Sequence, residues 1–95
     1  MTFWVYILKC NDDSYYTGHT DNLEARVGMH SNGGVDGYTA TRLPVKLIWS
    51  EQFFTRLEAL EMEMKIKKWS RKKKEAMMRG DWNEVSVLAK NRQVK

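Results

Sequence analysis

Residues 2–9 read TFWVYILK and residues 15–18 read YYTG, with CNDDS at 10–14 between them. The first run is apolar and rich in aromatic and β-branched types, the pattern of a strand buried on both faces. Alternation sends Phe3, Val5 and Ile7 one way and Trp4, Tyr6 and Leu8 the other. The Asn-Asp-Asp-Ser cluster is turn chemistry, so 2–18 is expected to be a β-hairpin. A bend near Asn11 and Asp12 puts Tyr6 nearly opposite Tyr16. Outward from the hairpin, a helix is expected from Thr20 or Asp21. There Asp21 and Glu24 have capping-box spacing, and Ser31-Asn32-Gly33-Gly34 ends the run. Residues 35–43 read as a polar loop, and 45–49 (VKLIW) as a third strand, with Pro44 just before it. Thr55-x-x-Glu58 opens a second helix. Its apolar residues fall on two sides, Leu57, Leu60 and Met64 against Ala59, Met62, Ile66 and Trp69. That distribution predicts a sandwiched helix. Ser70 restarts a helix over 71–79, Gly80 closes it, and Asp81 caps a last one at 82–90. The expected class is α+β, a small three-stranded, mostly antiparallel sheet flanked by helices in the order β-β-α-β-α-α. Residues 1–83 form the domain, and 84–95 a helix end and tail.

Composition excludes several function classes. The chain has 95 residues, enough for one domain with a thin core. Its single cysteine, Cys10, rules out an internal disulfide framework and a cysteine-rich zinc site. No apolar stretch approaches the roughly 18–20 residues that span a bilayer, and no secretory leader is evident. A cytoplasmic protein with no membrane partner and no small-molecule cofactor is therefore expected. The formal charge is +4, and its distribution says more than its total. Residues 1–50 are nearly neutral, with Lys9, Arg26, Arg42 and Lys46 against Asp12, Asp13, Asp21, Glu24 and Asp36. Residues 65–74, KIKKWSRKKK, hold seven basic side chains in ten. Lys65, Lys67, Lys68, Arg71, Lys72, Lys73 and Lys74 suit a phosphate backbone, although a run of charge is equally a solvated face. Trp69 continues the Ala59-Met62-Ile66 stripe and reads as core.

Three pieces, WVYI at 4–7, YYTGHTDNLEARVGMH at 15–30 and EALEMEMKIKKWSRKKKEAM at 58–77, together resemble the GIY-YIG nuclease superfamily, in particular its small stand-alone bacterial members. The resemblance covers roughly residues 2–83. It implies an antiparallel three-stranded sheet with flanking helices, in agreement with the reading above. Trp4-Val5-Tyr6 stands where the family has Gly-Ile-Tyr, and Tyr16-Thr17-Gly18 where it has Tyr-Ile-Gly. Arg26 matches the family's catalytic arginine, and His30 a histidine one turn later. Glu63 matches the helical glutamate that holds one divalent metal. Gly18, Asn22 and Leu23 match structural positions. Trp4 replaces the family's first glycine, and no residue matches the later asparagine of some members.

The resemblance implies phosphodiester hydrolysis of nucleic acid, DNA foremost, with one Mg²⁺ or Mn²⁺ held weakly until substrate arrives. The residue types suit that chemistry. A hard divalent ion needs only one or two carboxylates when waters and phosphate complete its shell. A guanidinium forks onto phosphate oxygens. Tyr6 and Tyr16 can order a water or relay its proton, and His30 can accept it. Each residue also has a plainer role. The tyrosines could be a cross-strand pair, Arg26 a solvated helix charge, Glu63 half of an i,i+4 pair with Lys67, and His30 a helix-end residue meeting the dipole. His19 reads as a surface residue. The alternative functions are a nucleic-acid-binding module without nuclease activity and a protein-interaction domain.

Overall fold

A computed structural model describes residues 2–34 and 37–93. Three strands, β1 (Phe3–Lys9), β2 (Tyr15–Thr20) and β3 (Lys46–Phe53), form one antiparallel sheet in the order β2-β1-β3. Helix α1 (Leu23–Ser31) lies between β2 and β3 in sequence. Helices α2 (Arg56–Lys68), α3 (Arg71–Met78) and α4 (Trp82–Gln93) come after the sheet. The four helices read along the sequence are all present, one more than the order β-β-α-β-α-α counts. The last two residues of the expected tail lie outside the described residues.

The hairpin register differs from expectation. Tyr6 pairs with Gly18, and Tyr16 pairs with Leu8. The turn causes this. Cys10 N–H donates to Ser14 O at 2.8 Å, and Asp13 takes a left-handed φ of 68°. The Asp12 carboxylate accepts from Ser14 N–H. The loop therefore consumes more of the chain than a bend at Asn11-Asp12 would. The consequence is functional: glycine, not tyrosine, faces Tyr6.

Strand β3 runs four residues past the apolar VKLIW segment and pairs with β1 along its length. Its register slips between Ile7 and Leu8, which face Trp49 and Leu47, so Ile48 is the extra residue of a bulge. Helix α1 starts at Leu23, later than expected. Asn22, not Asp21, is the N-cap, and its side chain accepts from Ala25 N–H at 3.1 Å. The Thr55–Glu58 capping box of α2 forms in both directions. Ser70 caps α3 by accepting from Lys73 N–H.

The two sheet faces do different work. Phe3, Val5 and Ile7 pack with Ala59 and Ile66 of α2, Ala76 and Met77 of α3, and Val85 of α4. This is the main core. The opposite face of β1 carries Trp4, Tyr6 and Leu8, and α1 lies over it. The expected sandwich of α2 is not formed. Ala59 and Ile66 are fully buried, while Leu57, Leu60 and Met64 are exposed. The sheet covers only one side of α2, and among the described residues nothing covers the other. Ile66→Ala should therefore cost about 2–5 kcal/mol in chemical denaturation, the usual loss for emptying a core site. Leu57→Ala should change the midpoint by little. Equal losses would place both faces of α2 in contact with protein.

Candidate active site

Tyr6 is 1% exposed, yet it carries a polar tip that must be satisfied. Gly18 makes its position possible. A Cβ at residue 18 would lie 2.5 Å from Tyr6 Oη and 2.7 Å from its Cζ, so only glycine lets the ring lie across β2. The Tyr6 hydroxyl meets His30 Nε2 at 3.0 Å. His30 Nδ1 meets Thr39 Oγ1 at 2.7 Å, in the loop after α1. His30 is fully buried and Thr39 nearly so. Burial, then the neighbouring Arg26 charge, holds the His30 pKa below its ordinary value, so the ring is neutral near pH 7. Burial, then repulsion from Tyr16, pushes the Tyr6 pKa well above its ordinary value, and the Glu63 charge adds to this against the opposing pull of Arg26. Tyr6 is thus a neutral phenol. A neutral imidazole carries one N–H, and the chain accommodates either tautomer: Tyr6 donating to Nε2 with Nδ1–H donating to Thr39 Oγ1, or the reverse.

Aromatic rings close around this chain. Tyr16 lies 6.4 Å from Tyr6 and 5.0 Å from His30 between ring centroids. Tyr38 stacks on Tyr16 at 6.2 Å, and the Arg42 guanidinium sits 3.9 Å above the Tyr38 ring. Arg42 also donates to Asp12 Oδ2 at 3.0 Å, which ties the loop to the hairpin turn. Arg26, one turn before His30, is half-buried and has no carboxylate partner among the described residues. Its charge is felt at both Tyr6 and His30. A guanidinium that is partly desolvated and not paired with a carboxylate is suited to an anion.

Glu63 comes from the other layer. It is 8% exposed on α2, and both its oxygens are engaged. Oε1 contacts His19 Nδ1, and Oε2 holds Lys67 Nζ at 2.6 Å. Burial alone would raise its pKa, but the contacts to Lys67 and His19 outweigh this and hold it below the ordinary carboxylate value. Strand alternation puts Tyr6, Tyr16 and Gly18 on the α1 side and His19 on the α2 side. Tyr6, Tyr16 and His30 therefore lie on the α1 side of the sheet, and His19 with Glu63 on the α2 side. Glu63 is nonetheless close enough for its charge to act on Tyr6.

The donor set can be tested against a divalent ion. Among the described residues no group of three His, Cys, Asp or Glu side chains converges as a preformed cage. A single buried, ionised carboxylate suits Mg²⁺ or Mn²⁺ when waters and a substrate phosphate supply the remaining ligands. It does not suit zinc, which takes three or four protein ligands. The residues fit a weakly held hard cation at Glu63.

The basic segment is divided rather than continuous. It breaks at Trp69 and Ser70, between α2 and α3. Lys67 is committed to Glu63. Arg71 donates to Asp13 O at 2.6 Å and to Glu75, and it covers the Tyr15 ring. Lys73 is buried with its ammonium 4.3 Å above the Trp69 ring, not on the solvent face. Lys74 is half-buried, and burial followed by the Arg71 charge lowers its pKa. Lys65, Lys68 and Lys72 are exposed. Cys10 is buried, which raises its thiol pKa.

Several residues of the site escape sequence reasoning. His19 reads as surface but contacts Glu63. Thr39 and Tyr38 lie in a stretch read only as polar loop, and neither carries a local signal of its partner. Trp4 lines an open pocket of about 560 Å³ with Leu23, Val27 and Leu47, rimmed by Asp21 and Glu24. None of the candidate catalytic residues borders it.

A model of the GIY-YIG catalytic domain matches residues 2–76. The chain belongs to the GIY-YIG family. Its relatives within that family are small bacterial proteins. The UPF0213 protein SH2523 of Staphylococcus haemolyticus is 47% identical over 75 residues, covering 79% of this chain and 92% of that one. The UPF0213 protein YazA of Bacillus subtilis is 47% identical over 70 residues, covering 74% and 71%. Two solution NMR structures share the fold. The UPF0213 protein BH0048 of Bacillus halodurans has a TM-score of 0.54 and 39% identity, covering 81% of this chain and 82% of that one. The protein EF2693 of E. faecalis has a TM-score of 0.59 and 38% identity, covering 84% and 85%. GIY-YIG membership gives the chain a nuclease-type fold of a kind that acts on nucleic acid and generally depends on a divalent metal. No helix among the described residues is long and apolar enough to cross a membrane.

Proposed function

We propose that this protein is an endonuclease that hydrolyses nucleic-acid phosphodiesters, DNA first among them, with one Mg²⁺ or Mn²⁺ at Glu63. The observation that supports this best is the chain from Tyr6 Oη to His30 Nε2 to Thr39 Oγ1, with the Arg26 charge beside it. A solvated surface arginine and a simple aromatic pair do not require a buried, neutral histidine behind the phenol.

Arg26 holds the non-bridging oxygens of the scissile phosphate and offsets the charge they gain in the transition state. Tyr6 orders the attacking water through its hydroxyl oxygen. The relay uses the tautomer in which Tyr6 donates to His30 Nε2. As the water attacks phosphorus and the P–O bond to the leaving oxygen breaks, the water proton passes to Tyr6 Oη and the phenolic proton to His30 Nε2, while the leaving oxygen takes its proton from solvent. His30 becomes imidazolium while its Nδ1–H stays bonded to Thr39. This relay never requires a free phenolate, which the raised Tyr6 pKa disfavours. Tyr16, half-buried beside His30, lines the approach. Glu63 would hold the ion, and His19 fixes its carboxylate. The bound ion supplies charge stabilisation at the phosphoryl oxygens and the leaving oxygen.

End-labelled duplex, nicked, single-stranded and branched substrates, incubated with Mg²⁺ or Mn²⁺ and with chelator, test the proposal. Cleavage of at least one substrate only when the ion is present is the expected result. Tight binding with no cleavage of any substrate under either ion would favour the binding module of the same fold.

Exposed lysines extend the site. Lys65 and Lys72 should contact phosphates, which carry no sequence information. Replacing both with Met should weaken binding similarly across sequences. The slope of log affinity against log salt should fall by about 0.7–0.9 for each phosphate no longer neutralised. An unchanged slope would make them surface charge only.

A further inference from the structure

We propose that Lys67 is the exchange partner of the divalent ion at Glu63, so that the ion can take its place only by displacing the lysine. This rests on the reading of Glu63 as the metal-holding carboxylate. Three observations carry it. The Lys67 ammonium lies 2.6 Å from Glu63 Oε2, the distance of a direct charge-assisted hydrogen bond. His19 contacts the other oxygen, so each oxygen keeps a single lone-pair direction, and a cation taking the one on Oε2 would stand against the Lys67 ammonium. The two partners differ in mobility. The Lys67 side chain is half exposed on a four-carbon stem, whereas the His19 side chain is 24% exposed on a paired strand. Lys67 is the one that can leave.

Displacing Lys67 opposes ion binding, because its hydrogen bond to a mostly buried carboxylate is broken. A substrate phosphate reverses the balance. It completes the shell of the ion and gives the released ammonium a second anion within reach of its stem. Ion and nucleic acid therefore bind with positive coupling, each assisting the other. Lys67 also keeps the buried Glu63 charge compensated when no cation is there, which an unpaired carboxylate in this position could not tolerate cheaply. His19 acts differently, as a positioning residue that holds the carboxylate in aim throughout.

Titration of the protein with Mn²⁺ alone, followed by the electron paramagnetic resonance signal of the free ion, tests this. Lys67→Met should bind Mn²⁺ roughly tenfold more tightly than wild type, the effect of removing one competing charged hydrogen bond. Lys65→Met removes the same charge two residues away without touching Glu63, and should give a much smaller gain. The gain should vanish in the Lys67→Met, Glu63→Gln double variant. Equal Mn²⁺ affinities in Lys67→Met and Lys65→Met would overturn the proposal. It would also fall if neither Lys67→Met nor wild type bound Mn²⁺ detectably. Glu63→Gln separates the two readings in a second titration with a DNA duplex present. If it abolishes Mn²⁺ binding there while Lys67→Met had no effect, the exchange is wrong but the metal site stands. If Glu63→Gln leaves Mn²⁺ binding intact, both are wrong.

Discussion

Arg26→Ala should lower the cleavage rate at saturating substrate by about 10²–10³-fold, the usual loss when a preorganised charge-stabilising donor is removed. The guanidinium is half-buried, has no carboxylate partner among the described residues, and sits where its charge reaches Tyr6 and His30. Removing it breaks no ion pair among those residues, so the denaturation midpoint should stay close to that of wild type. The same variant should let the His30 pKa rise, since the nearby positive charge is one cause of its depression. Single-turnover cleavage and an NMR titration of His30 check the two halves of this expectation. A rate within about twofold of wild type would take Arg26 out of the mechanism.

Tyr6→Phe should reduce the rate by about 10²–10⁴-fold, the range associated with a positioned proton-transfer group. The ring would still fill its place over Gly18, but the water would lose its acceptor and His30 Nε2 its donor. The pH profile separates a relay from a packing role. His30 can accept a proton only while neutral, and its pKa lies below the ordinary value of about 6.5. Wild-type activity should therefore be flat through neutral pH and fall only in the acid range beneath that value. Tyr6→Phe should lose this acid limb, because its residual reaction no longer delivers a proton to His30. The same depression affects stability. The unfolded histidine takes up its proton first as pH falls, so stability is full above about 6.5 and declines toward the folded pKa. An acid limb that survives unchanged in Tyr6→Phe would assign it to another group.

The hairpin, the helices and their order were legible because each is a local matter. The run FWVYILK alternates into a sheet, Thr55-x-x-Glu58 caps a helix, and Ser70 and Asp81 break the rest of the chain into separate helices. The register was not legible, because it hangs on Asp13 adopting a left-handed φ, and no pattern in CNDDS distinguishes that from a shorter bend. That difference decides that Gly18 faces Tyr6. Two-sided apolar periodicity misled in α2, since it reports which residues are apolar and not how many layers exist to cover them. Of the candidate site residues, Tyr6, Tyr16, Arg26, His30 and Glu63 are singled out by the family pattern. His19, Thr39 and Tyr38 are not, since their partners are 44, 9 and 22 residues away in the chain and carry no periodic signal. The basic run was visible as charge, but its division into paired, buried and exposed lysines depends on the break at Trp69.

In the proposed mechanism a divalent ion at Glu63 works beside Arg26 and the Tyr6–His30 pair to cut a phosphodiester. Cleavage by wild type and by Glu63→Gln, measured side by side with Mn²⁺ on the substrate that wild type cuts fastest, tests this most directly. Glutamine keeps the shape and a contact to His19 but removes the charge that holds the ion. The expected result is a rate reduced by at least about 10²-fold with DNA binding largely retained. A Glu63→Gln protein that cuts as fast as wild type would contradict it.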